Sequence, residues 1–101
     1  MNIPNKINIA GKEVTIRIDH HHCMTQKIYG ESQYDQNTII LDDHKKAGYP
    51  KAKIEQTFIH EVLHFANAIM SRNNDNVDDE NYVNPLSELL YQVFKQLKET
   101  P

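Results

Sequence analysis

His60-Glu61-Val62-Leu63-His64 sets two imidazoles four residues apart with a carboxylate beside the first. On a helix, positions i and i+4 stand one turn apart on the same face, so both rings can reach one ion. Neutral imidazole is a good zinc ligand, and a catalytic zinc takes three protein ligands and keeps one position for water. Glu61 stands where it can accept a proton from that water during attack on a carbonyl. The chemistry these residues predict is metal-assisted hydrolysis, with zinc as cofactor and a peptide bond as target. The chain also holds six histidines in 101 residues. A chance pair of surface histidines is therefore the competing explanation, and the surrounding helix weighs against it.

With Ile54 at the centre of a helical wheel, Phe58, Val62, Phe65 and Ile69 cluster around it, and Ile59, Leu63, Ala66 and Met70 widen the apolar arc. His60, His64 and Asn67 fall in the remaining sector, where a surface helix usually carries Lys and Glu. The pattern predicts a helix over 51–71. Arg72 to Asn76 is too polar for a core and reads as a loop. Beyond it, Tyr82, Val83, Leu86, Leu89, Leu90, Val93, Phe94 and Leu97 recur at helical spacing and predict a second amphipathic helix over about 78–99. That stripe is expected to be buried against the first helix and a sheet. Pro85 would kink a helix that began at Asp78, but would be a favourable first-turn residue in one that began near Asn84.

A third ligand is expected downstream, where Asp75, Asp78, Asp79 and Glu80 are available. Glu80, Val83, Leu86 and Leu90 follow at three, three and four, so Glu80 continues the inward stripe, whereas the aspartates read as caps or solvated charge. The competing role for Glu80 is a first-turn carboxylate that complements the helix dipole. Asn67, one turn after His64, can support the site by hydrogen bonding. For stabilising an oxyanion, Tyr29, Tyr34, Tyr82, Tyr91 and the histidine cluster are all available, and no spacing favours one.

The N-terminal half supplies the sheet. Ile3, Ile7 and Ile9 alternate with polar residues, as do Val14, Ile16 and Ile18 after Ala10-Gly11-Lys12, so a hairpin is expected. A second hairpin is expected from Gly30 to Leu41, turning through Asp35-Gln36-Asn37. Its second arm, Thr38 to Leu41, would serve either as core or as a sheet edge that holds an extended peptide. Between the hairpins, residues 19–29 with His20-His21-His22 read as an exposed loop or an auxiliary metal contact. Asp42 to Pro50 reads as a polar connection.

Length and composition bound the rest. A chain of 101 residues is one domain, close to the smallest that one core supports, and a bound metal would help it. No stretch approaches a membrane span, and the N-terminus lacks a signal-peptide core. Cys23 is the single cysteine, so no internal disulfide forms, which agrees with a cytoplasmic location. A formal charge of −3 argues against nucleic acid as partner. Lys45, Lys46, Lys51 and Lys53 form a local basic patch, read as solvation of a loop and helix start.

His60-Glu61-Val62-Leu63-His64, followed by Glu80-x-x-Val83-x-x-Leu86-Ser87-x-x-Leu90 and preceded by Gly30-Glu31-x-x-Tyr34, resembles the small gluzincin-type metallopeptidases. The likeness is strongest to short phage and prophage proteins related to the ImmA/IrrE family and to minimal gluzincins. The resemblance implies zinc on His60, His64 and Glu80, Glu61 as general base, and a protein or peptide substrate such as a regulatory protein. The fold expected is α+β, a single zincin-like domain over 1–101, with an antiparallel sheet of three or four strands packed on two long helices. The rival reading is a non-catalytic or latent zinc-binding domain acting in protein–protein interaction. Asp78, Asp79 or a histidine from 20–22 would then close the site as fourth ligand, or the 19–29 loop or C-terminal tail would block it.

Overall fold

The structure is a computed structural model that describes residues 2–9, 11–70 and 80–98, the backbone alone at 70, 80–82 and 95–98. Lys6–Ile9 (β1) and Lys12–Ile18 (β2) form the first hairpin. Gly11, at φ +86, closes its turn, and its amide donates to Asn8 Oδ1 at 2.9 Å. A side chain would be strained at that dihedral. Gly30–Gln33 (β3) and Thr38–Leu41 (β4) form the second hairpin around a 3-10 turn at Tyr34–Gln36.

The two hairpins join in the order β1-β2-β4-β3, with β2 and β4 parallel from Thr15↔Thr38 to Ile18↔Leu41. The sheet is therefore mixed, not antiparallel as expected. Alternating patterns specify pairing within a hairpin, whereas the contact between hairpins depends on how the intervening segment turns the chain. Thr38–Leu41 is accordingly an interior strand and not an edge. The edge beside it is β3.

Residues 20–26 are a helix, His20–Gln26 (α1), where a loop was expected. Asp19 caps it by accepting from the His22 amide at 3.0 Å, and Lys27 ends it in the left-handed region at φ 58. Its sequence has no apolar stripe. Instead His20 Nδ1 meets Asp42 Oδ1 at 2.8 Å, and His22 Nε2 meets Glu31 Oε1 at 2.9 Å. Glu31, Ile40 and Arg17 are paired in one row across the sheet, so α1 covers that face and Ile40 is buried beneath it. A four-residue helix, His44–Ala47 (α2), interrupts the expected polar connection. Asp43 caps it through the amides of Lys45 and Lys46.

The opposite face carries the core. Lys51–Met70 (α3) lies against β1, β3 and β4, with Ile54, Phe58, Ile59 and Phe65 packed on Val14, Ile16, Ile39 and Leu41. Burial of each such side chain contributes about 1.5–3 kcal/mol. Ile18, on the same face as Val14 and Ile16, lies at the strand end and is exposed. Glu80–Lys98 (α4) runs through Pro85 and packs along α3 with Val83 and Ser87 buried. Its expected stripe is only half covered, because Leu89, Val93 and Phe94 are exposed. The main helical contact of α4 is with α3, so the arc that a sheet would have covered stays open. Among the described residues no helix is long and apolar enough to cross a membrane.

Candidate active site

The spacing of His60 and His64 brings their Nε2 atoms to 3.1 Å, with ring centroids 4.7 Å apart at an interplanar angle of 67°. His64 is 7% exposed and His60 is half-buried. Two nitrogens bound to one tetrahedral zinc are about 3.3 Å apart, so the pair fits two adjacent positions on such an ion. A proton shared between neutral rings accounts for the same distance without a metal.

Glu61 is 8% exposed, and its Oε1 accepts from Ser32 Oγ at 2.8 Å. The same hydroxyl lies 3.2 Å from the Glu61 carbonyl oxygen. The strand register explains the contact. Ser32, Ile39 and Ile16 are paired in one row, and Ile39 and Ile16 lie in the core under α3. Ser32 therefore faces α3 as well. Gly30, two residues earlier on the same face, lets β3 come this close. A Cβ there would lie 2.7 Å from Thr57 Cγ2 and 3.0 Å from the Ile40 carbonyl oxygen. Ser32 carries no functional signal in the sequence, and Gly30 enters there only as part of the Gly30-Glu31-x-x-Tyr34 pattern.

A cleft of about 410 Å³ opens between the 27–30 segment, α3 and α4, lined by Tyr29, Thr57, His60, Glu61, Asn84 and Ser87 among others. Of the expected site residues, His60 and Glu61 line this cleft, and His64 meets His60 beside it. Position 80 opens α4, three residues before buried Val83, but the Glu80 side chain lies outside the described residues. Asp75, Asp78, Asp79, the expected 72–76 loop and the Tyr82 side chain lie outside them too. Among the described residues no group of three or more His, Cys, Asp or Glu side chains is placed to hold a metal. Of the tyrosines weighed, Tyr29 lines the cleft. Tyr91 donates to Glu55 at 2.8 Å, and the Tyr34 ring packs 5.1 Å from that of Phe65. His20 and His22 are hydrogen-bonded to Asp42 and Glu31, which tie α1 to the sheet.

A polar chain braces the rim. Burial pushes the pKa of Asp42 up, but hydrogen bonds from the Tyr49 hydroxyl at 2.6 Å, from His20 and from the Asp43 amide bring it below the ordinary range. Burial, followed by the Asp42 carboxylate, pushes the Tyr49 hydroxyl up. The Tyr49 ring meets Tyr29 edge-on at 5.4 Å, and Lys53 Nζ stands 4.2 Å from the Tyr29 centroid. Glu31 is held below the ordinary carboxylate range, first by the His22 hydrogen bond.

Comparison of the chain with protein-family models, with curated proteins and with solved structures found no match in any of the three.

Proposed function

We propose that this chain is a zinc-dependent peptidase of minimal zincin-like fold, acting on a protein or peptide. The observation that carries the reading is the convergence of His60 Nε2 and His64 Nε2 at 3.1 Å beside a carboxylate anchored by Ser32. His60 and His64 would hold the ion. Glu80 is assigned as third ligand, since it precedes Val83 by one turn on the side of α4 that meets α3. When bound, zinc supplies a Lewis acid and a water of lowered pKa. Glu61 would accept a proton from that water and deliver it to the departing amine, with its Oε1 held by Ser32. Ser32 orients the carboxylate between α3 and β3, and β3 offers its outer edge to an extended peptide by strand addition. The cleft at His60 and Glu61 favours a site open to substrate over a closed, four-ligand structural zinc.

The test is elemental analysis of tag-free protein, followed by hydrolysis of a labelled peptide mixture. About one zinc per chain is expected, lost in His64→Ala and Glu80→Ala. Glu61→Gln should keep the zinc and lose about 10²–10⁴-fold in rate. Metal-free wild-type protein that gains no stability from added zinc would refute the reading.

A further inference from the structure

The cleft wall leading away from His60 is cationic, although the chain as a whole is formally −3. Lys27 and Lys53 line the cleft itself. A second trough of about 520 Å³ shares Lys27, Ile28 and Tyr29 with it and adds Lys46. Among the described residues the carboxylates lining the two are Glu61 and Asp42, which are 8% and 5% exposed and engaged by Ser32 and by Tyr49 with His20. No described carboxylate forms an ion pair with Lys27, Lys46 or Lys53. The Lys53 ammonium is steadied over the Tyr29 ring, which Tyr49 braces from the edge. Lys27 is itself the left-handed residue that ends α1. Accessible positive charge therefore lines a concave wall whose described carboxylates are already satisfied.

We infer that this wall selects a peptide carrying a carboxylate, held by Lys53 and Lys27; the inference rests on the peptidase reading of the same cleft. Glu61 would repel an anion next to the scissile bond, so the carboxylate belongs at the lysine end. Lys53 precedes His60 by seven residues, which is about 10 Å along a helix. An extended peptide covers that distance in about three residues. The preferred substrate has Asp or Glu about three positions from the bond cut, or a chain-terminal carboxylate at the same distance.

Fluorescence anisotropy at low salt tests this with the zinc-loaded Glu61→Gln protein and labelled decapeptides identical except at one scanned position. Glu peptides with an amidated C-terminus should bind about five-fold tighter than Gln peptides, and Lys peptides weakest. The preference should vanish in Lys27→Gln/Lys53→Gln and reverse in Lys27→Glu/Lys53→Glu. A Gln peptide with a free C-terminal carboxylate separates the two sources: a gain confined to it assigns the site to a chain end. Equal affinity for Glu and Gln peptides, binding of neither, or a preference unmoved by the lysine variants would overturn the inference. Zinc content and hydrolysis by the wild-type chain are read separately. Acid preference without either leaves the anion site standing and removes the peptidase, and hydrolysis without acid preference does the opposite.

Discussion

Gly30→Ala tests how the cleft is built. The added methyl would sit 2.7 Å from Thr57 Cγ2, 3.0 Å from the Ile40 carbonyl oxygen and 3.1 Å from Leu41 Cδ2. The first neighbour is a short β-branched side chain on α3, whose Oγ1 donates to the Lys53 carbonyl at 2.7 Å, and the second is backbone of an interior strand. Neither yields by rotating away, so β3 must move off α3. Overpacking of this kind costs about 1–3 kcal/mol. In a domain of this size that is a fall in melting temperature of about 4–20 °C. Thr57→Ser removes Cγ2 and keeps the hydroxyl, so Gly30→Ala/Thr57→Ser should recover part of the loss, the Ile40 and Leu41 contacts holding back the rest. Urea denaturation of the wild type, both single variants and the double variant closes the cycle. A Gly30→Ala protein within about 0.5 kcal/mol of wild type, or strictly additive single effects, would refute the close packing of β3 on α3.

Asp42 accepts from Tyr49, His20 and the Asp43 amide, and its folded pKa lies below the ordinary value. Its stabilisation is thus present above the unfolded Asp pKa of about 3.9 and is lost as pH falls through the folded value. Asp42→Ala should cost about 1–3 kcal/mol at pH 7 in urea melts, with the gap to wild type narrowing below about pH 4; a gap constant with pH would refute the ionic role. Burial, then the charges of Asp42, Asp19 and Glu31, push the Cys23 thiol up to about 11. The native chain should therefore react with a thiol reagent at pH 8 far more slowly than the urea-unfolded chain, and equal rates would show that Cys23 is accessible.

The elements that carry a strong period were legible. Apolar spacing around Ile54 marked α3, which runs over Lys51–Met70, and alternation at Ile7, Ile9, Val14 and Ile16 marked the first hairpin. The side on which His60 and His64 meet followed from four-residue spacing, because a helix repeats every 3.6 residues whatever surrounds it. Helix α1 was illegible for the opposite reason. It buries one residue, Cys23, and is held by His20–Asp42 and His22–Glu31, partners 22 and nine residues away. Local pattern carries no record of such pairings.

The sequence by itself determined the helical face shared by His60 and His64, the neighbouring carboxylate of Glu61, and the two hairpins, since each depends on residues a few positions apart. Tertiary structure decided that β4 docks parallel on β2, that β3 is therefore the edge, and that Ser32 reaches Glu61 across 29 residues. It also gathered Lys27 and Lys53 on one wall. These are choices among hairpin packings with equivalent local patterns, and they are settled by which arrangement buries Ile16, Ile39 and Leu41 under α3 while pairing the polar groups on the other face.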